Sequence, residues 1–253
     1  MKKKQKLKKK NIVIGVIVAI FTVIFIISLL NIIKWKKNND DNKKIQEDLN
    51  QYIIIEENEK EEDTENTEYK IDFKSLKEQN PDVVGYLEVP NTNIKYVVVK
   101  GSDNSYYLKH NFNKEYNNAG WVFADYRDKF NFTDYNIVIY GHNTRDGSMF
   151  GTLKNTLKKE WYENKDNQII TFITEGKVSK YQVFSIYEDK ASDYPITTEF
   201  NSDSEYTKFL NTIKDKSVYN FGVEVSSNQS IITLSTCASN NQNRVTLHAI
   251  NIQ

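Results

Sequence analysis

The sequence predicts a mainly β domain, a closed or nearly closed barrel of about eight strands with a few packing helices, preceded by one transmembrane helix. Three observations predict it. Residues 11–33 form one apolar run without a charge. From residue 83 onward, runs of β-branched and aromatic residues alternate with connections rich in Asn, Asp, Ser and Gly, the signature of strands and turns. No heptads or internal repeats accompany these runs, so a coiled coil or solenoid is excluded and a barrel accommodates the strands.

Bulk properties narrow the class. A chain of 253 residues holds one sizeable domain with appendages. With 39% hydrophobic and 27% charged residues it is not disordered as a whole. The 34 basic and 34 acidic residues cancel, so bulk charge gives no reason to expect a nucleic-acid partner. The charge is unevenly placed, however. Residues 1–10 are almost all lysine and residues 56–68 mostly acidic, and such blocks are usually tails and linkers.

The apolar run of about 23 residues exceeds the roughly 20 that a helix needs to cross the hydrocarbon core. A cleavable leader would have a shorter core and a small-residue cleavage site, whereas Trp35-Lys36-Lys37 follows here. An uncleaved anchor is expected. Seven lysines precede the run and Lys34, Lys36 and Lys37 follow it, so the N-terminus should face the cytoplasm and the rest lie outside. The expected organisation is a basic cytoplasmic tail at 1–10, an anchor at 11–33, an extracellular stalk at 34–68 and a folded domain at 69–253. Within the stalk, Ile45, Leu49, Tyr52 and Ile53 recur at helical spacing, enough for a short juxtamembrane helix.

The domain should open with a helix over 72–79, capped by Asp72, with Phe73 and Leu76 inward and Asn80-Pro81 ending it. Strands are expected over 83–89, 94–99, 120–124, 136–140, 168–174, 180–187, 231–235 and 244–252. Two helices interrupt them. One, over 149–160, carries Phe150, Leu153 and Leu157 on one face. The other, over 203–216, carries Tyr206, Phe209, Leu210 and Ile213, and Ser202 with Glu205 forms a capping box at its start.

Three residues at strand ends carry the candidate chemistry. Cys237 is the only cysteine, so an exported chain has either an intermolecular partner or a reactive thiol there. Taken alone, a free cysteine is more often a small buried hydrophobe. His142 follows the strand at 136–140, with Gly141 turning the chain and His142 opening a loop, where rigid scaffolds display catalytic groups; its bland reading is a solvated histidine. Arg244 starts the strand after the Cys237 loop, and an antiparallel return would bring it near the thiol; its bland reading is an exposed strand-edge arginine. A fixed guanidinium suits an oxyanion or a carbonyl. Their joint placement is the argument. His248 lies inside a strand and reads as a core histidine, and His110 as structural. No His or Cys pair sits at metal-ligand spacing, so neither metal nor cofactor is expected.

The segment Thr233-Leu234-Ser235-Thr236-Cys237 followed by Arg244 resembles the TLxTC…R signature of sortases, and Tyr140-Gly141-His142-Asn143 resembles their histidine motif. Residues 85–90, 103–108 and 148–151, with the late helix, are similar to class B in particular. The resemblance implies an eight-stranded sortase barrel and a cysteine transpeptidase. Cys237 would attack the threonine carbonyl of an NPxT- or PxT-like sorting signal on secreted surface proteins. His142 would act as general acid and Arg244 would hold the oxyanion. An amine, commonly of a peptidoglycan cross-bridge, would release the thioacyl-enzyme. The resemblance further implies a substrate groove at Asn104, Leu108, Ser235, Tyr194 and Ile196. Some class B members have an acid two residues after the cysteine, where this chain has Ser239, so a Cys-His-Arg set fits better than a Cys-His-Asp triad. Two other readings are a sortase that joins pilins through a lysine amine and a non-catalytic anchored binding domain with a structural Cys237.

Overall fold

The computed structural model describes residues 2–58, 66–131, 134–190, 196–237 and 243–253. It comprises two compact units, Met1–Asp41 and Asn42–Gln253. Helix α1 (Lys2–Leu49) makes up the first unit and opens the second. Every large apolar side chain from Ile12 to Ile33 is at least 46% exposed. A helix apolar on all sides and this long has the length and composition to cross a membrane.

The second unit begins earlier than the sequence suggests. Residues 34–68, expected as a stalk, contain the end of α1 and a hairpin of β1 (Ile53–Asn58) with the start of β2 (Asn66–Ile71). Leu49 is 1% exposed. Ile53 and Ile55 pair with Ile71 and Tyr69, and all four pack half-buried on the core, while Lys70 bridges Glu56 at 2.7 Å. Strand residues on both sides of the acidic run therefore alternate with period 2 and turn one face inward. Helix α2 (Phe73–Gln79) follows as expected, with the Ser75 N–H donating to Asp72 at 3.0 Å and with Phe73 and Leu76 buried.

Eight strands then close a barrel: β3 (Val83–Glu88), β4 (Lys95–Val99), β5 (Phe123–Ala124), β6 (Asn136–His142), β7 (Ile169–Thr174), β8 (Lys177–Lys190), β9 (Ile231–Cys237) and β10 (Asn243–Asn251). Their order is β10-β8-β7-β3-β4-β5-β6-β9, with β9 returning to β10. The β4–β5 and β6–β9 pairs are parallel and the others antiparallel. Trp121, Phe112, Phe123, Phe150, Phe172 and Leu87 fill the core.

Two expected elements come out differently. The strand at 120–124 shrinks to two residues because the chain ahead of it is claimed elsewhere. The Trp121 N–H donates to the Tyr107 carbonyl at 3.0 Å and the indole Nε1 to Val97 at 2.8 Å. The helix expected at 149–160 is a 3-10 turn (Leu153–Leu157) followed by the single turn α3 (Lys159–Tyr162). Met149 has φ +49° and Lys158 is extended (φ −87°, ψ 144°), so an α-helix cannot run through. Phe150 and Leu153 are still buried; the tighter turn satisfies the same apolar spacing.

Helix α4 (Asp203–Asp215) lays Tyr206, Leu210 and Ile213 over Phe184, Tyr187, Ile231 and Ile250. Ser202 caps it by accepting from the Glu205 N–H at 3.2 Å. The capping box is only half made, since the Glu205 carboxylate accepts from the Asn201 backbone and side chain instead.

Candidate active site

Parallel strands β6 and β9 end together. Their register runs Ile139↔Leu234, Tyr140↔Ser235, Gly141↔Thr236, His142↔Cys237, so the histidine and the cysteine are direct neighbours on one face. β6 does not turn at Gly141, as expected from the sequence, but continues through His142. The glycine serves close packing: a Cβ there would lie 2.5 Å from the Phe150 ring. On the other flank, β9 pairs antiparallel with β10 at Thr246↔Ser235. The paired register ends there; continued two residues further it would bring Arg244 to Cys237, and the Arg244 charge does act on the Cys237 thiol. The result is a row, His142–Cys237–Arg244, across three adjacent strand ends.

Each member has a defined environment. Cys237 is half-buried, and burial pushes its thiol up to about 12, with the Arg244 charge pulling the other way. Its resting form is therefore the thiol. Arg244 buries an Nε–H that has no partner among the described residues. A buried charged donor without an acceptor is costly, and an incoming oxygen would relieve it. His142 is half-buried, with Nε2 2.8 Å from the Leu108 carbonyl. A carbonyl only accepts, so Nε2 carries a proton and Nδ1 is the atom whose protonation decides the ring charge.

The other two histidines sit apart from this chemistry. His248 is fully buried between Thr233 (2.8 Å from Nδ1) and Tyr187 (3.0 Å from Nε2), and burial depresses it to about 3. His110 stacks on Tyr106, with ring centroids 4.0 Å apart.

A sortase-domain family model matches residues 87–251, about two thirds of the chain. The chain belongs to the sortase B family. Sortase B of Listeria monocytogenes is 38% identical over 163 residues, 64% of this chain and 65% of the relative. Sortase B of Staphylococcus aureus is 37% identical over 156 residues, 61% of this chain and 62% of the relative. The matched part thus spans a little under two thirds of these two curated relatives. The crystal structure of sortase B from B. anthracis in complex with AAEK1 superposes with a TM-score of 0.74 at 32% identity, covering 86% of this chain and 99% of the other. A Staphylococcus aureus sortase B–substrate complex gives 0.68 at 35%, covering 72% and 84%. The barrel built above is therefore the sortase barrel.

The expected groove residues of this sortase barrel are held in different ways. Asn104 uses both ends of its amide, donating to Asp125 (2.8 Å) and accepting from the Tyr126 N–H (3.0 Å). Leu108 is half-buried at the end of a 3-10 turn (Tyr106–Leu108), and its carbonyl anchors His142. Ile196 is half-buried and its carbonyl lies 3.4 Å from Arg127 Nη2. Ser235 is fully buried behind Cys237, with Oγ 3.4 Å from the Thr236 carbonyl. Tyr194 and Ser239 lie outside the described residues.

One feature escaped the sequence reading. Asp125 is fully buried and accepts from Arg127 Nε, Arg127 Nη2, Tyr140 Oη and Asn104 Nδ2, all at 2.8 Å. Burial pushes its carboxyl up, but these donors and the Arg127 backbone N–H outweigh it and leave it below the usual carboxylate range. Tyr140 is two residues before His142 on the same strand, so this hub supports the strand that carries the histidine. The signal was present as Asp-Tyr-Arg directly after the apolar run 121–124.

Proposed function

We propose that this chain is a membrane-anchored cysteine transpeptidase that cleaves C-terminal sorting signals of secreted proteins after threonine. The observation that carries the reading is the row His142–Cys237–Arg244, with a buried Arg244 N–H that lacks an acceptor among the described residues. Family membership supports it.

In this reading the Cys237 thiolate attacks the threonine carbonyl of an NPxT- or PxT-like signal. The developing oxyanion takes the donors of Arg244. His142, as imidazolium, protonates the departing amine, the C–N bond breaks and a thioacyl-enzyme remains. An amine, commonly of a peptidoglycan cross-bridge, then attacks the thioester, returns a proton to His142 and releases the thiolate. Because burial favours the thiol, only a minority of molecules hold thiolate and imidazolium together, and turnover is slow. Of the expected groove residues, half-buried Asn104, Leu108 and Ile196 line the signal groove, and fully buried Ser235 does not reach the signal. Residues 1–10 stay in the cytoplasm, 11–33 span the membrane, and the catalytic domain lies outside; the lysine asymmetry supports that orientation.

A panel of quenched threonine-containing signal peptides tests this directly. Full chain should cleave at least one peptide, faster when an amine nucleophile is added. Cys237→Ala should abolish cleavage, and Arg244→Ala should lower kcat/KM by about 100-fold or more. If wild type and Cys237→Ala are equally inert across the panel, the enzyme reading fails and an anchored binding domain takes its place.

A further inference from the structure

The end of α1 reaches the active-site histidine through one glycine. Asn42 is 2% exposed. Its Nδ2 donates to the Gly120 carbonyl at 3.0 Å, and its Oδ1 accepts from Asn117 Nδ2 at 2.9 Å. Asn117 shapes the same turn, its Oδ1 accepting from the Ala119 N–H (2.9 Å) and its carbonyl from the Gly120 N–H (3.0 Å). Gly120 has φ +60°, which favours glycine. A Cβ there would lie 3.0 Å from His142 Cδ2, 3.0 Å from the Leu108 carbonyl oxygen and 2.4 Å from that of Tyr107. Gly120 is therefore wedged against both the imidazole and the carbonyl that fixes its Nε2–H. Asn42 holds the carbonyl of the same residue.

We propose that Asn42 is a positioning residue for His142, so that the last turns of α1 belong to the catalytic apparatus as well as to the tether. The chain of contact is short: a hydrogen bond to Gly120, a Gly120 backbone lying so near the ring that a Cβ would crowd it, and the shared Leu108 carbonyl. Interiors are close-packed, so a shift of the Gly120 peptide passes to the ring instead of being absorbed. Misplacing a proton donor by a fraction of an ångström lowers the chemical step more than substrate binding. The kinetic part of this inference rests on the transpeptidase reading; the effect on the ring does not.

The test uses the full chain in detergent micelles with two substitutions. Asn42→Ala removes both hydrogen bonds. Asn42→Leu removes both hydrogen bonds while keeping the volume and burying no charge, which guards against a collapsed Ala variant. Two readouts are taken: the ring ¹⁵N spectrum of His142, assigned among the three histidines with His142→Gln, and kcat and KM per titrated thiol. Both variants should mix the Nε2-protonated tautomer with its alternative. Both should also lower kcat about tenfold with KM held within about twofold. A lower melting temperature with wild-type ring spectrum and wild-type kcat would reduce Asn42 to a packing residue and overturn the proposal. Should wild type cleave no peptide, the transpeptidase reading is what falls, and the ring spectra still decide whether Asn42 positions His142.

Discussion

Two influences act on the Cys237 sulfur, and their sizes set its reactivity. Desolvation favours the neutral thiol and the Arg244 charge favours the thiolate; desolvation wins, with the pKa pushed up to about 12. Alkylation by a small neutral reagent should therefore keep rising about tenfold per pH unit from 7 to 10, without levelling near the ordinary thiol value of about 8.5. Arg244→Met should slow labelling about fivefold at each pH, the weight of one partly screened charge. A plateau near pH 8.5, or no effect of Arg244→Met, would show that neither burial nor Arg244 governs the thiol. The same shift has a stability sign. Between about 8.5 and 12 the native state binds more protons than the unfolded one, so this group costs stability as pH rises through that window. At this scale the sequence was readable for the neighbouring ends of β6 and β9 because strand ends could be placed from β-branched runs. Asp125 was not, because nothing in one dimension says which three side chains converge on a carboxylate.

Strand β6 shows what an element adds. Its backbone carries His142, its Tyr140 leans on Asp125, and its Val138 N–H donates to Asp128 at 2.9 Å. Asp128 is 1% exposed, its Oδ1 has no hydrogen-bond partner among the described residues, and burial pushes its carboxyl up to about 8. The unfolded carboxyl titrates near 4, so the native state holds an extra proton between about 4 and 8 and loses stability as pH rises across that range. Asp128→Asn keeps an acceptor for Val138 and removes the titration. Its urea midpoint should exceed that of wild type at pH 8, by on the order of 5 kcal/mol in stability, and the gain should vanish near pH 4. A constant offset at both pH values would mean that Asp128 is not the titrating group. Elements whose apolar period was long and clean, α4 and most of the strands, were legible from the sequence. The 149–160 segment was not, because a 3-10 turn with i, i+3 contacts and an α-helix share the same apolar spacing over so few residues.

At the scale of the molecule, the boundary between tether and domain is where sequence and structure part most. Charge blocks read as linker, and the acids of 56–68 drew attention from inward-facing Ile55 and Tyr69 on either side of them. The compact unit starts at Asn42, and side chains ahead of the hairpin tie it down, among them Asn42 on Gly120, Gln46 Nε2 on the Lys95 carbonyl at 2.7 Å, buried Leu49, and half-buried Ile45 and Tyr52. These ties can be weighed. Burying one leucine contributes about 1.5–3 kcal/mol, and the buried Asn42 bond roughly 1 more. The exposed Gln46 bond adds less. A chain beginning at Asn42 should therefore unfold in urea like the domain of the full chain. One beginning at Ile53 should lose about 3 kcal/mol, seen as a lower midpoint at nearly unchanged slope. Superimposed curves for the two shortened chains would mean that the end of α1 merely rests on the barrel. If the loss is found, the segment that looks like a leash is structurally the first element of the domain, and no cut between residues 42 and 53 is neutral.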